Sequence, residues 1–161
     1  MAELEPYLVP PGAGTPIWYR DTLMTVKAGA DTTRGALTII EHTLPAGFAA
    51  PPHVHHAEDE PWYVLEGQVR FFCQGQVLEA EPGAFLFLPK DIAHSFRVDA
   101  SAPARLLLIG VPAGIEHFFT AAGEPAATRT LPPSIRPSDP DRIKALAREY
   151  GIEILGGPTP D

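Results

Sequence analysis

Gly47 to Gly67 reads GFAAPPHVHHAEDEPWYVLEG and gathers three histidines and four acidic residues into one short span. His53 and His55 are two apart, so on an extended backbone both imidazoles leave the same face and converge on one point. Glu60 lies an odd number of positions beyond His55, and an unbroken strand would send it to the opposite face. The polar run His56-Ala57-Glu58-Asp59 is therefore expected to turn or bulge, which returns Glu60 to the pair. His56 then faces away, in a solvent or hydrogen-bonding role. Glu58 and Asp59 fall on the turn, where replacing either carboxylate by its amide is expected to change little.

A second segment, Gly83-Ala84-Phe85-Leu86-Phe87-Leu88-Pro89-Lys90-Asp91-Ile92-Ala93-His94, carries an apolar strand into a Pro-Lys-Asp turn and then a further histidine. Three imidazole nitrogens and one carboxylate form a ligand set for a first-row transition metal, with positions left for water, substrate or dioxygen. One divalent ion per chain is expected, drawn from Fe, Mn, Ni, Cu or Zn. These donors do not choose among them, because metal availability weighs as much as affinity.

These residues resemble the cupin superfamily. Its first motif is a glycine, five residues, His-x-His, three or four residues, glutamate, six residues and glycine, which Gly47, His53, His55, Glu60 and Gly67 meet in full. Its second motif is met by Gly83, Pro89 and His94, while Asp91 replaces the turn glycine and Val98 replaces a final asparagine. Aspartate tolerates a left-handed backbone better than most residues, and neither position carries a metal ligand. The resemblance implies an all-β fold, a single cupin jelly-roll (double-stranded β-helix) barrel, with metal ligation by His53, His55, Glu60 and His94. Both PPHVHHAEDEPWYVLEG and the later EYGIEILGGP look like the single-barrel quercetin dioxygenase-like members. That implies a metal-dependent dioxygenase acting on a flavonol-like or other aromatic or polyketide small molecule, with Glu60 catalytic as proton acceptor as well as ligand, its pKa raised by an apolar barrel mouth. Two other readings share the metal set: a non-oxidative cyclase or isomerase using the ion as a Lewis acid, and a non-enzymatic binding module. Dimerisation is common among cupins, and the apolar strands near the N-terminus favour a homodimer.

The 161 residues allow one barrel and are too few for two. With 12 basic against 20 acidic residues, a net charge of -8 and no Lys/Arg cluster, the chain lacks an electrostatic footprint for nucleic acid or an anionic membrane. Its first residues are acidic where a signal peptide is basic, so a soluble, cytoplasmic protein is expected. The single Cys73 reads as a buried, inert thiol.

Proline and glycine divide the chain into an N-terminal arm over 1–16, the barrel over 17–111 and an extension over 112–161. Short strands joined by Gly or Pro fill the barrel, and Gly29 to Thr33 reads as a turn. In the extension, Ile115 to Ala122 has helical composition. Asp139-Pro140 caps a second helix whose Ile143, Leu146, Ala147 and Tyr150 form one apolar stripe expected to dock on the barrel or beside its mouth, and Ile152 to Leu155 suits an edge strand. Alternation along β structure places Trp62 and Val64 on the metal-facing side with Glu60, and Phe85, Phe87 and Phe96 are expected to line the same pocket. Such a pocket suits a flat apolar ligand. His42 and His117 lie outside both motifs and are expected to be satisfied or exposed histidines.

Overall fold

The structure, a computed structural model, describes residues 3–135 and 137–161. In chain order the elements are β1 (Thr15–Tyr19), β2 (Thr22–Ala28), the one-turn helix α1 (Ala30–Thr33), β3 (Thr38–Leu44), β4 (Ala49–His55), β5 (Glu60–Glu66), β6 (Val69–Cys73), β7 (Gln76–Ala80), β8 (Phe85–Leu88), β9 (His94–Val98), β10 (Ala104–Gly110), α2 (Ile115–Ala122), β11 (Glu124–Pro125), α3 (Pro140–Glu149) and β12 (Ile152–Ile154). They build two antiparallel sheets, ordered β11-β1-β2-β3-β10-β5-β8 and β12-β4-β9-β6-β7. This is the jelly roll expected from the motifs.

Strict alternation makes the inside. Along β3, Thr38, Ile40, His42 and Leu44 are buried, and their partners across β10 include Leu106 and Leu108. From the facing sheet come Val69, Phe71, Phe96 and Val98, all buried. Trp62, Phe71 and Phe96 meet at the centre, with ring centroids 5.5 to 5.8 Å apart. Each such side chain contributes roughly 1.5–3 kcal/mol by leaving water.

Two turns show why particular residues are needed. Gly67 has a φ of +80°, and a Cβ there would lie 2.5 Å from the Pro103 carbonyl oxygen, so no other residue fits. Asp91, at the motif's glycine position, has a φ of +65°. Its amide donates to the His55 carbonyl at 2.8 Å, and its carboxylate accepts from His56 Nδ1 at 2.7 Å. The aspartate keeps the left-handed turn and clamps it onto His55 and His56.

The expectation for Phe85 and Phe87 is corrected. In the β5–β8 pair, Glu60 faces Leu88 and Trp62 faces Leu86, whereas Phe87 faces Pro61 and Phe85 faces Tyr63. Leu86 and Leu88 thus take the inner face, and Phe85 and Phe87 stand outside, 64% and 51% exposed. A short all-apolar strand has no polar alternation to say which face points in.

The extension is woven into both sheets. β11 pairs with β1, and β12 covers the edge of β4, setting Ile152 opposite His55 and Ile154 opposite His53. Asp139 caps α3, accepting from the amides of Asp141 and Arg142 at 3.1 Å, and the stripe packs inward with Ala147 fully buried. Glu116, at the start of α2, is buried and accepts hydrogen bonds from Thr38 Oγ1, the Ala30 amide at 2.6 Å and the Gly114 amide at 2.9 Å. Among the described residues no helix is long and apolar enough to cross a membrane.

Candidate metal centre

His53, His55, Glu60 and His94 each offer a donor atom, and these atoms lie within 4.8 Å of one another. Both sheets contribute. His53 and His55 come from β4, His94 stands directly across from His53 on β9, and Glu60 opens β5 in the other sheet. Residues 56–58 bend between β4 and β5, which is how Glu60 rejoins the pair. The register of β4 against β9 shifts between Ala50 and His53, where Pro51 and Pro52 lack amide protons for the ladder.

Hydrogen bonds fix how each imidazole is presented. His53 donates from Nδ1 to the Pro51 carbonyl at 2.7 Å, and His94 donates from Nδ1 to the Ile92 carbonyl at 3.2 Å. Carbonyls only accept, so Nδ1 carries the proton in both rings and Nε2 is left for ligation. His55 Nδ1 is 2.6 Å from Glu58 Oε1, and both side chains are buried. Glu60 Oε2 lies 3.1 Å from His94 Nε2, and Oε1 lies 3.6 Å from His55 Nε2. Lone pairs and a carboxylate crowded in this way are stable only around a cation or a proton, and the set fits a divalent transition metal.

The electrostatics follow. Burial and the neighbouring imidazoles lower His53 to about 3, keeping it neutral and ready to ligate. Burial opposes charging of His55, but Glu60 and Glu58 together raise its pKa above the ordinary value. Burial would also lift Glu60, yet His55, His94 and His53 outweigh it and hold the carboxyl down at about 2. The expectation of a raised Glu60 pKa is thereby corrected: the charged or polar neighbours win over the apolar mouth.

The centre lies on the wall of a cavity of about 210 Å³, to which His53, His55 and Glu60 contribute. Most of the remaining wall is apolar: Met24, Phe48, Trp62, Phe96 and Leu108 from the barrel, and Phe118, Phe119, Ile143, Ile152 and Ile154 from the extension. The C-terminal stripe therefore docks beside the mouth and forms part of the chamber. Of the residues expected in the pocket, Trp62 and Phe96 line it. Val64 shares their inward face but is packed in the core, outside the cavity wall, and Phe85 and Phe87 are outside the barrel.

Two buried polar residues were not anticipated. Glu58 leaves the turn to orient His55, a role that neither motif spacing nor its acidic neighbours could reveal. His42 lines the cavity, and its signal was present, since it alternates with Ile40 and Leu44 on the inner face of β3. His117 is half exposed, and His56 bridges Asp91 and Glu153 at the surface.

A cupin-domain family model matches residues 40–110, the stretch that holds all four donors. Solved structures agree on the fold. A predicted oxalate decarboxylase from Thermotoga maritima superposes with a TM-score of 0.60 at 18% identity, covering 66% of this chain and 99% of that one. An RmlC-like cupin from Shewanella frigidimarina gives 0.58 at 16% identity, covering 71% and 99%. Residues 40–110 are a cupin domain, and the fold built around them is the cupin jelly roll. Quercetin 2,3-dioxygenase from Bacillus subtilis (strain 168) is 30% identical to this cupin over 150 residues, 93% of the chain. The chain spans 44% of that relative's length.

Proposed function

We propose that this cupin is a metal-dependent dioxygenase acting on a flavonol-like or other aromatic or polyketide small molecule. The observation that carries the reading is the placement of His53, His55 and Glu60, three of the four clustered donors, on the wall of an apolar, aromatic-lined chamber, so that the centre borders a space suited to a flat ligand. A structural site would be closed off by its own ligands. The similarity to quercetin 2,3-dioxygenase supports the choice of substrate class.

A metal bound to His53, His55, Glu60 and His94 would supply Lewis acidity and one-electron redox chemistry. The protein's part is to hold and exclude. Carbonyls of Pro51 and Ile92 fix two imidazoles, Glu58 fixes the third, and Trp62, Phe96, Phe118 and Ile143 keep water from the substrate ring. Glu60 is the carboxylate aimed at the chamber and is proposed to take the proton of an acidic substrate hydroxyl onto a carboxylate oxygen. A carboxylate bound to a metal would be held ionised, so Glu60 would act so only after loosening from it.

Oxygen uptake by metal-reconstituted protein, screened against flavonols and aromatic polyketides, tests the reading. Uptake with at least one of them is expected, and Glu60→Gln should lose most turnover while keeping the fold and part of the metal. Tight binding of these compounds without oxygen uptake would replace the dioxygenase by the non-oxidative reading.

We also propose a homodimer. Tyr63, Phe85 and Phe87 form an exposed aromatic row on the outer face of β5 and β8, at one edge of the larger sheet. Light scattering should give twice the chain mass, and a monomer at tens of micromolar would exclude it.

A further inference from the structure

In the wall of the same cavity, on the side formed by β3 and β5, two buried nitrogens have no partner among the described residues: His42 Nδ1 and Trp62 Nε1. Both side chains line the chamber, and they are 3% and 2% exposed. Buried polar atoms are rarely left this way, because each unmade hydrogen bond forfeits what water would have given. Their rings are neighbours, 6.2 Å apart between centroids and inclined by 28°, and the two nitrogens do not bond each other.

The proton positions can be deduced. Thr22 Oγ1 lies 2.7 Å from the Tyr19 carbonyl, which can only accept, so the one hydroxyl proton of Thr22 is committed there. Thr22 Oγ1 must then accept from His42 Nε2, 2.9 Å away, which places the imidazole proton on Nε2 and leaves Nδ1 as a bare acceptor. Burial lowers His42 to about 3, so the ring stays neutral at working pH. Trp62 Nε1–H can only donate. One acceptor and one donor therefore lie unpartnered within the wall of the chamber, each closed over by its neighbours.

We infer that His42 and Trp62 form a hydroxyl-reading subsite, separate from the metal ligands, which selects substrates bearing a neutral alcohol or phenol. Once a shift of the wall admits it, a hydroxyl donates its proton to His42 Nδ1 and accepts from Trp62 Nε1–H. A ketone or carboxylate would leave His42 unpaired, and an ammonium would leave Trp62 unpaired. Discrimination of this kind is effective because the rejected analogue strands buried polar groups. The subsite rests on the reading of the cavity as the substrate chamber and not on the reaction carried out there.

The test uses the full chain loaded with zinc, labelled with nitrogen-15, and two probes of similar shape, 2-naphthol and 2-methylnaphthalene. The naphthol is expected to bind about tenfold more tightly and to shift the Trp62 indole N–H signal downfield, a signal identified by its loss in Trp62→Phe. Trp62→Phe and His42→Phe should each cut the preference, read as the ratio of the two probes' affinities in the same variant, to about twofold. A preference that survives both substitutions, as naphthol held by the metal would give, overturns the subsite. So does naphthol binding that leaves the wild-type indole signal unmoved, a result that holds even if a variant fails to fold. Equal affinity for the two probes defeats the subsite alone, whereas failure of both to bind defeats the chamber reading together with it.

Discussion

On the metal side of the cavity, His53 and His94 donate Nδ1–H to carbonyls, His55 sets Nδ1 against Glu58, and all three keep Nε2 for a ligand. On the Trp62 side, His42 is wired in the opposite sense, donating Nε2–H to Thr22 and leaving Nδ1 bare. All four rings are largely enclosed, so burial does not tell them apart. The difference lies in what surrounds the bare nitrogen. Around Nε2 of the three there are other lone pairs and a carboxylate, an environment for a cation; the His42 ring has instead the Trp62 indole as a neighbour, 6.2 Å away between centroids, whose N–H is also unpartnered among the described residues.

The largest effect should come from removing a donor on the metal side. His53→Ala or His94→Ala is expected to weaken metal binding by more than about 100-fold, read by competition with a chelator. Glu58→Gln should cost less, about 10- to 100-fold, because it releases the orientation of His55 while leaving every ligand present. Unchanged affinity in Glu58→Gln would mean that the ring is held by packing alone.

His42→Phe sharpens the contrast from the other side. Metal affinity should stay within about twofold. The pH dependence of stability should change, because a histidine whose folded pKa is depressed to about 3 stays neutral when folded and takes up a proton on unfolding below its ordinary value of 6.5. That contribution is fully present above pH 6.5 and is lost as pH falls toward 3. Between about pH 6 and 4 the metal-loaded wild type should therefore lose up to about 1.4 kcal/mol per pH unit more than His42→Phe, measured by urea unfolding. Parallel curves would show that His42 is charged or exposed.

A smaller effect is expected outside the chamber. Glu116 is buried, which would raise its pKa, but Thr38 and the amides of Ala30 and Gly114 hold it below its ordinary 4.5. Its stabilisation is present above that value and fades as pH falls through the depressed pKa. Glu116→Gln should cost about 1–3 kcal/mol at pH 7, with the gap narrowing in acid.

Much of the metal side was legible because it is written in spacing. His53 and His55 two apart, an odd step to Glu60 that demands a bend, and a Pro-Lys-Asp turn before His94 are local facts that survive folding. The inner face of β5 was legible too, since Glu60, Trp62 and Val64 recur at the strand period of two and all three are buried. Phe85 and Phe87 were not, because Phe-Leu-Phe-Leu is apolar on both faces and only its register against β5 decides which pair points in. Glu58 was hidden by its neighbours: nothing in Glu58-Asp59-Glu60 says that the first carboxylate would turn inward to His55. The His42–Trp62 pair was hidden for another reason, since the two residues meet only by flanking β10, a strand drawn from much later in the chain.

The most direct test is metal analysis of purified wild type beside the His55→Ala, His94→Ala double variant, with X-ray absorption at the edge of whichever metal is found. The account predicts about one ion per wild-type chain in a shell of imidazole nitrogen and carboxylate oxygen without sulfur, and little metal in the double variant. Full occupancy in the double variant, or a sulfur ligand in wild type, would contradict it.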